Sequence, residues 1–399
     1  MQFTRRKLKN GVTLLVEKRD LPVVSCSISM PFGGAFEVVS EKGIAHFIEH
    51  LLFTGTLTRS HEDISKEIEK KGGILNAFTA HEITSYYFKL PSVHLFAGLD
   101  IITDMLKNPA FKIEKFEKEK KVILEEIKMY HDSPARHIHD VLERNLYGDP
   151  FGLNIIGTPE TVSSLSREFV VAYFQKHYDP GNFVVTAVGT VDVEKLVAYL
   201  EQAFVPAPVE HRVQPLVLTA GNTVEERPGL DQAHFIMGMH APLLGSTEYY
   251  ALEVLDAYLA HGMSSKLFLT IREEKGLAYS VKSSLQAEKS YSYYCIYVGT
   301  RKDAVKQVEE LIVQGFKDVT KMTEEDVQLA KEQLIGLRAV ASEESSGVMN
   351  ELLFAELAGK AEDYYAREEK IRAVTLDEVK ALAQQLIGGT YSTAAIVPK

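Results

Sequence analysis

Gly43-Ile44-Ala45-His46-Phe47-Ile48-Glu49-His50-Leu51-Leu52-Phe53 is a helical stretch with two imidazoles four residues apart, so both leave one face, a turn apart. Two imidazoles so placed can meet one zinc ion at about 2.0–2.1 Å each. Glu49 borders the same face, where a carboxylate can serve as general base without binding the metal. With 13 histidines in 399 residues, chance supplies His-x-x-Glu-His about 0.04 times per chain. An exposed, His-rich helix face is the plain alternative. It fits poorly, because Ile44, Phe47, Ile48, Leu51 and Phe53 make the segment apolar, and burying such groups without a task is costly.

A catalytic zinc site of this type needs a third protein ligand and an open position. The pattern over 113–131 predicts a helix whose inward stripe is Ile113, Phe116, Ile123, Ile127 and Tyr130. Glu126 lies between Ile123 and Ile127 on that stripe. Glu119, seven residues earlier, sits within about 20° of it around the helix, whereas Glu125 points about 100° away. Glu126 is therefore the candidate ligand, and Glu119 the candidate partner for the far N–H of a ligating histidine. A Lys/Glu-rich surface helix would be the ordinary reading of this segment without the His pair.

Composition bounds the rest. The formal charge of −11 comes with no basic stripe, which argues against nucleic acid as a partner. No run of about 18 apolar residues exists, so no membrane span is expected. Met1–Asn10 carries basic residues without an apolar stretch after them, unlike a secretory signal. Cys26 and Cys295 each sit in a strand-like run and read as buried free thiols of a reducing compartment. A cytoplasmic location follows as an expectation.

The length suggests two domains. A hairpin (3–8, turn Asn10-Gly11, 12–17) and a strand at 23–30 precede helical periodicity at 43–54 and 62–71. Strands at 74–79 and 84–90 follow, then helices at 92–107, 113–131, 135–146 and 166–176. The turn Asp179-Pro180-Gly181-Asn182 leads into a strand at 183–189 and a helix at 192–203. Residues 205–221, with Pro206, Pro208 and Pro215, read as a linker. A similar order then recurs: strand 233–239, helix 246–260, strands 279–288 and 291–298, helices 303–320, 323–341 and 344–358, a capped helix from Thr375, and strand 391–397. The expectation is an α+β fold of two homologous domains, 1–204 and 222–399. Each would be an antiparallel-rich mixed sheet flanked by helices on one face.

At the level of motifs, the chain resembles the pitrilysin and mitochondrial processing peptidase family of zinc metallopeptidases over nearly its whole length. The resemblance rests on Gly43–Phe53, Leu124-Glu125-Glu126-Ile127 and Tyr178-Asp179-Pro180-Gly181-Asn182. It implies an endopeptidase with one zinc per chain, held by His46, His50 and Glu126, with Glu49 as base and Glu119 in support. It implies a peptide substrate that pairs as an added strand along Asn76 and Ala77, in Gly73-Ile-Leu-Asn-Ala-Phe-Thr79. Ser265–Tyr279 is similar to the family's Arg/Tyr segment, so Arg272 and Tyr279 are implied to hold the substrate carbonyl and stabilise its oxyanion. Glu248–Asp256 has no His pair, so the second half departs from the zinc pattern. Family members of this length pair as clam-shells around a chamber. A homodimer is the simpler expectation and a heterodimer with a related subunit the alternative. Two other functions compete: a non-catalytic scaffold or partner subunit, and a metallohydrolase of small non-peptide substrates. The remaining histidines are read as surface or satisfied core.

Overall fold

The computed structural model describes residues 2–205 and 211–399. The first half runs β1 (Gln2–Lys7), β2 (Thr13–Lys18), β3 (Val23–Met30), α1 (Ile44–Leu52), α2 (His61–Glu69), β4 (Ile74–Thr79) and β5 (Thr84–Pro91). It continues with α3 (Leu95–Lys107), α4 (Ile113–Asp132), α5 (Pro134–Leu146), α6 (Pro159–Ser164), α7 (Arg167–His177), β6 (Val184–Gly189) and α8 (Val193–Ala203). The second half runs β7 (Asn222–Arg227), β8 (Ala233–His240), α9 (Thr247–Leu259), a π-helical turn (Phe268–Glu274), β9 (Ala278–Ala287) and β10 (Ser292–Thr300). It ends with α10 (Val305–Asp318), α11 (Glu324–Ala341), α12 (Ser345–Ala358), α13 (Asp363–Ala373), α14 (Leu376–Gly388) and β11 (Tyr391–Pro398).

Both sheets are mixed and mostly antiparallel. One has the order β1-β2-β6-β3-β5-β4, the other β7-β11-β8-β10-β9. In each, one neighbouring pair is parallel, β2 with β6 and β7 with β11. Strand for strand the second order repeats the first without β1, which is the duplicated α+β unit expected from the sequence. At the opening hairpin Gly11 has φ +86°, and a Cβ there would lie 2.9 Å from the Gly181 carbonyl oxygen. Only glycine lets the two turns meet so closely.

Several elements escaped the sequence reading. β7 falls just past the expected linker, reads Asn-Thr-Val-Glu-Glu-Arg and alternates only between exposed and half-buried positions, as an edge strand does. α13 sets Tyr364, Tyr365 and Ile371 among six charged residues, too few apolar positions to mark a helical stripe. α6 is only six residues long. Of the linker, Pro206 and Pro208 lie outside the described residues.

The compact units are not two continuous stretches. One takes in the described residues of 1–128, 153–215 and 341–364; the other takes in 129–152, 216–340 and 365–399. In the first unit, Val24, Cys26, Ile28 and Met30 of β3 face a core shared with α1, α3, α4, α7 and α8. The opposite face is also covered: Leu15, Val184 and Val188 pack with Val348, Met349, Leu352 and Leu353 of α12. So helices from the same half flank one face, and a helix from the other half lies on the second. In the other unit, α5 does the same for the second sheet, and its Leu142 side chain sits against Gly238 of β8. Leu352 is fully buried, and Leu352→Ala should cost about 3 kcal/mol, read as a lower urea midpoint at unchanged slope.

Candidate metal centre

The position of α1 is set at its N-terminus. Gly43 and Ala45 donate their backbone N–H to the two oxygens of Glu37, at 3.1 and 2.8 Å. This buried carboxylate caps the positive end of the helix. Lys42, also buried, lies 3.7 Å from it and donates to the Gly34 carbonyl at 2.9 Å. Gly43 has φ +96°, and a Cβ would approach the Ile156 carbonyl oxygen to 2.7 Å. Gly43→Ala should therefore cost on the order of 2 kcal/mol, measured by chemical denaturation. Phe47 then packs against Phe116 of α4, ring centroids 4.9 Å apart, which fixes one helix on the other.

That packing brings three donors together. The ligating atoms of His46, His50 and Glu126 all lie within 4.8 Å of one another. Glu126 Oε2 is 3.5 Å from His50 Nε2 and 3.8 Å from His46 Nε2. A tetrahedral zinc with bonds near 2.0–2.1 Å would place its ligand atoms about 3.3 Å apart. Two imidazoles and a carboxylate at this spacing fit zinc in chemistry and in size. Glu119 Oε2 lies 3.4 Å from His50 Nδ1, where it can hold the tautomer that leaves Nε2 free to ligate. The Nδ1 of His46 is buried with no partner among the described residues.

Burial, helped by neighbouring His50, pushes the His46 imidazole down to about 3, so it stands neutral with a lone pair to offer. Burial opposes charge on His50 too, but the hydrogen bond its Nδ1–H donates to Glu119 and the charges of Glu126 and Glu49 outweigh it and raise its pKa. Metal binding there competes with protonation of the ring. Glu49, half-buried, is pushed up by burial, against the pull of a hydrogen bond from Thr79 Oγ1 to its Oε2 at 2.5 Å.

Asn76 and Ala77 lie on β4, which pairs only with β5 and so presents an open edge among the described residues. The Asn76 side chain turns back to accept from the Ala77 N–H at 2.8 Å. Arg272 and Tyr279 belong to the other unit. Arg272 lies near the end of the π-helical turn, donates to the Tyr279 carbonyl at 2.9 Å and lies 4.9 Å from the Phe268 ring. Tyr279 is 83% exposed. The sequence reading missed Glu37 and Thr79; an acidic residue shortly before the metal helix was the available signal for the first, and nothing marked the second.

Residues 12–159 match the family described as Insulinase (Peptidase family M16), and residues 164–334 match Peptidase M16 inactive domain. The chain belongs to peptidase family M16. Among its M16 relatives, an uncharacterized zinc protease of Streptomyces coelicolor is 33% identical, over 99% of this chain and 89% of its own length. The uncharacterized zinc protease YmxG of Bacillus subtilis is 31% identical, over 99% and 98%. A protease from Helicobacter pylori has the same fold, with a TM-score of 0.92 at 20% identity over 100% of this chain and 99% of that one. So does a peptidase M16 inactive domain from Pseudomonas fluorescens, at 0.90, 17%, 100% and 99%. The M16 region called inactive includes α9, which has no His pair. No helix among the described residues is long and apolar enough to cross a membrane.

Proposed function

We propose that this chain is a zinc-dependent endopeptidase hydrolysing peptides or unfolded polypeptide segments, with one zinc per chain held by His46, His50 and Glu126. The observation that carries the reading is the convergence of these three donors beside a proton-hungry carboxylate, Glu49, on the same helix. When bound, zinc supplies a Lewis acid that polarises the scissile carbonyl and lowers the pKa of water to about 7. Glu49 would take the proton from the attacking water and return it to the departing amide nitrogen, and its raised proton affinity suits both steps. The open edge of β4 at Asn76 and Ala77 binds the substrate as an added strand through main-chain hydrogen bonds.

Arg272 and Tyr279 hold the substrate carbonyl and stabilise the negative charge that develops on it. In support, both side chains are exposed within their own unit, and the backbone contact between them sets Arg272. Arg272→Ala should lower kcat about 100-fold at unchanged zinc content. An unfolded variant would instead make the residue structural. In this reading 1–204 is the zinc-bearing half of the sequence, 205–221 the linker, and 222–399 the homologous half carrying the Arg/Tyr pair, with α5 and α12 each belonging to the compact unit of the other half. Two such chains form a cytoplasmic homodimer with two competent sites; the two cysteines, both free and buried, fit a reducing compartment.

Digestion of a peptide library by the zinc-loaded protein, read by mass spectrometry, tests the function. Cleavage should stop with a chelator and return with zinc. A fully loaded protein that cuts no peptide would instead favour a partner subunit without catalysis.

A further inference from the structure

The carboxylate of Glu49 is held from a second element. Among the described residues the one hydrogen bond it accepts comes from Thr79 Oγ1, at 2.5 Å to Oε2. That distance is in the range of strong hydrogen bonds to ionised oxygen. A carboxylate on its own side chain turns broadly about its last torsion, so this contact determines which oxygen points where.

Thr79 is well placed for such a task. It is the last residue of β4 and pairs with Thr84 of β5. The turn beyond it closes with Ala80 N–H donating to the Ile83 carbonyl at 2.7 Å. Its β-branched side chain has few rotamers. The hydroxyl therefore projects from a rigid hairpin rather than a mobile loop. The same strand offers the open edge at Asn76 and Ala77, so the element proposed to carry the peptide also carries the group that orients the base.

We propose that Thr79 is a positioning residue for Glu49: its hydroxyl ties Oε2 and leaves Oε1 as the oxygen that takes and returns the proton. This rests on the peptidase reading above. Binding of an extended peptide to β4 uses the main chain, which substitution at Thr79 leaves intact, so the residue acts on turnover and not on substrate affinity.

Thr79→Val keeps the shape and removes the hydroxyl, while Thr79→Ser keeps the hydroxyl. In the zinc-loaded full chain, Thr79→Val should lower kcat about 10-fold, a fraction of the whole contribution of a general base, with KM and zinc content close to wild type. Thr79→Ser should recover most of the loss. Infrared difference spectra of the zinc-free protein give a readout independent of turnover. The carboxylate band that disappears in Glu49→Gln should shift in Thr79→Val and stay in place in Thr79→Ser. An unshifted band, or equal kcat for Thr79→Val and wild type, overturns the proposal. So does a Thr79→Ser variant as slow as Thr79→Val, which would make the effect one of strand packing. If the loaded wild-type chain cleaves nothing, it is the peptidase reading that falls and takes the role of Thr79 with it, even where the infrared shift shows the contact itself.

Discussion

Replacing Glu49 by Gln is expected to lower kcat about 1000-fold, within the contribution of a general base, while zinc stays bound. Gln has the same shape and its amide oxygen can still accept from Thr79 Oγ1, so the helix and the neighbouring strand have no reason to move. What it lacks is an ionisable group to take a proton. Zinc remains because the three donors, His46, His50 and Glu126, are untouched. The folded state should be at least as stable as wild type, since burial already disfavours the charged form of Glu49. Steady-state kinetics on a cleaved peptide, with metal analysis of the same sample, make the measurement. Turnover near the wild-type rate would remove Glu49 from the role of base.

The second large effect is on the metal. Among the described residues, Glu126→Ala removes the one carboxylate that approaches both imidazoles. Its loss should weaken zinc binding by more than the roughly 10–100-fold expected for an outer partner such as Glu119 in Glu119→Gln. Competition with a chromophoric chelator should rank the proteins wild type, Glu119→Gln, Glu126→Ala in falling affinity. Thermal melts give an independent reading. Zinc at 100 times its dissociation constant adds about 2.7 kcal/mol to the wild type, and Glu126→Ala should show little of this gain. Affinity should also fall with pH. The surrounding carboxylates raise the pKa of His50, so on acidification it gains a proton early, and zinc must displace that proton to bind. Equal affinities for wild type and Glu126→Ala would mean that the third ligand is another group.

Much of the fold was legible because its strands and helices carry the periods of their burial. β3, with Val24, Cys26, Ile28 and Met30 alternating against Ser25, Ser27 and Ser29, shows its core face directly in the sequence. β7 does not, because this edge strand of mostly polar residues has no buried position. Exchange of helices was out of reach for a different reason. α12 is apolar enough to be buried, but nothing in its pattern says which sheet it covers. At the site, spacing alone put His46 beside His50, and the stripe on α4 pointed Glu126 inward. Glu37 and Thr79 were invisible because each acts through a contact across the fold, Glu37 on the helix start and Thr79 on a carboxylate 30 residues earlier.

The reciprocal placement of α5 and α12 means that the chain is dovetailed and cannot be divided at its linker into self-sufficient pieces. A fragment ending at residue 204 would leave Leu15, Val184 and Val188 without their cover, and would carry Leu142 with no sheet to lie on. Each fragment alone should aggregate, yet the two produced together should assemble, since each brings the helix the other lacks. By the same logic, a single backbone cut within 205–221 should leave a nicked protein that elutes as one particle and separates only under denaturant.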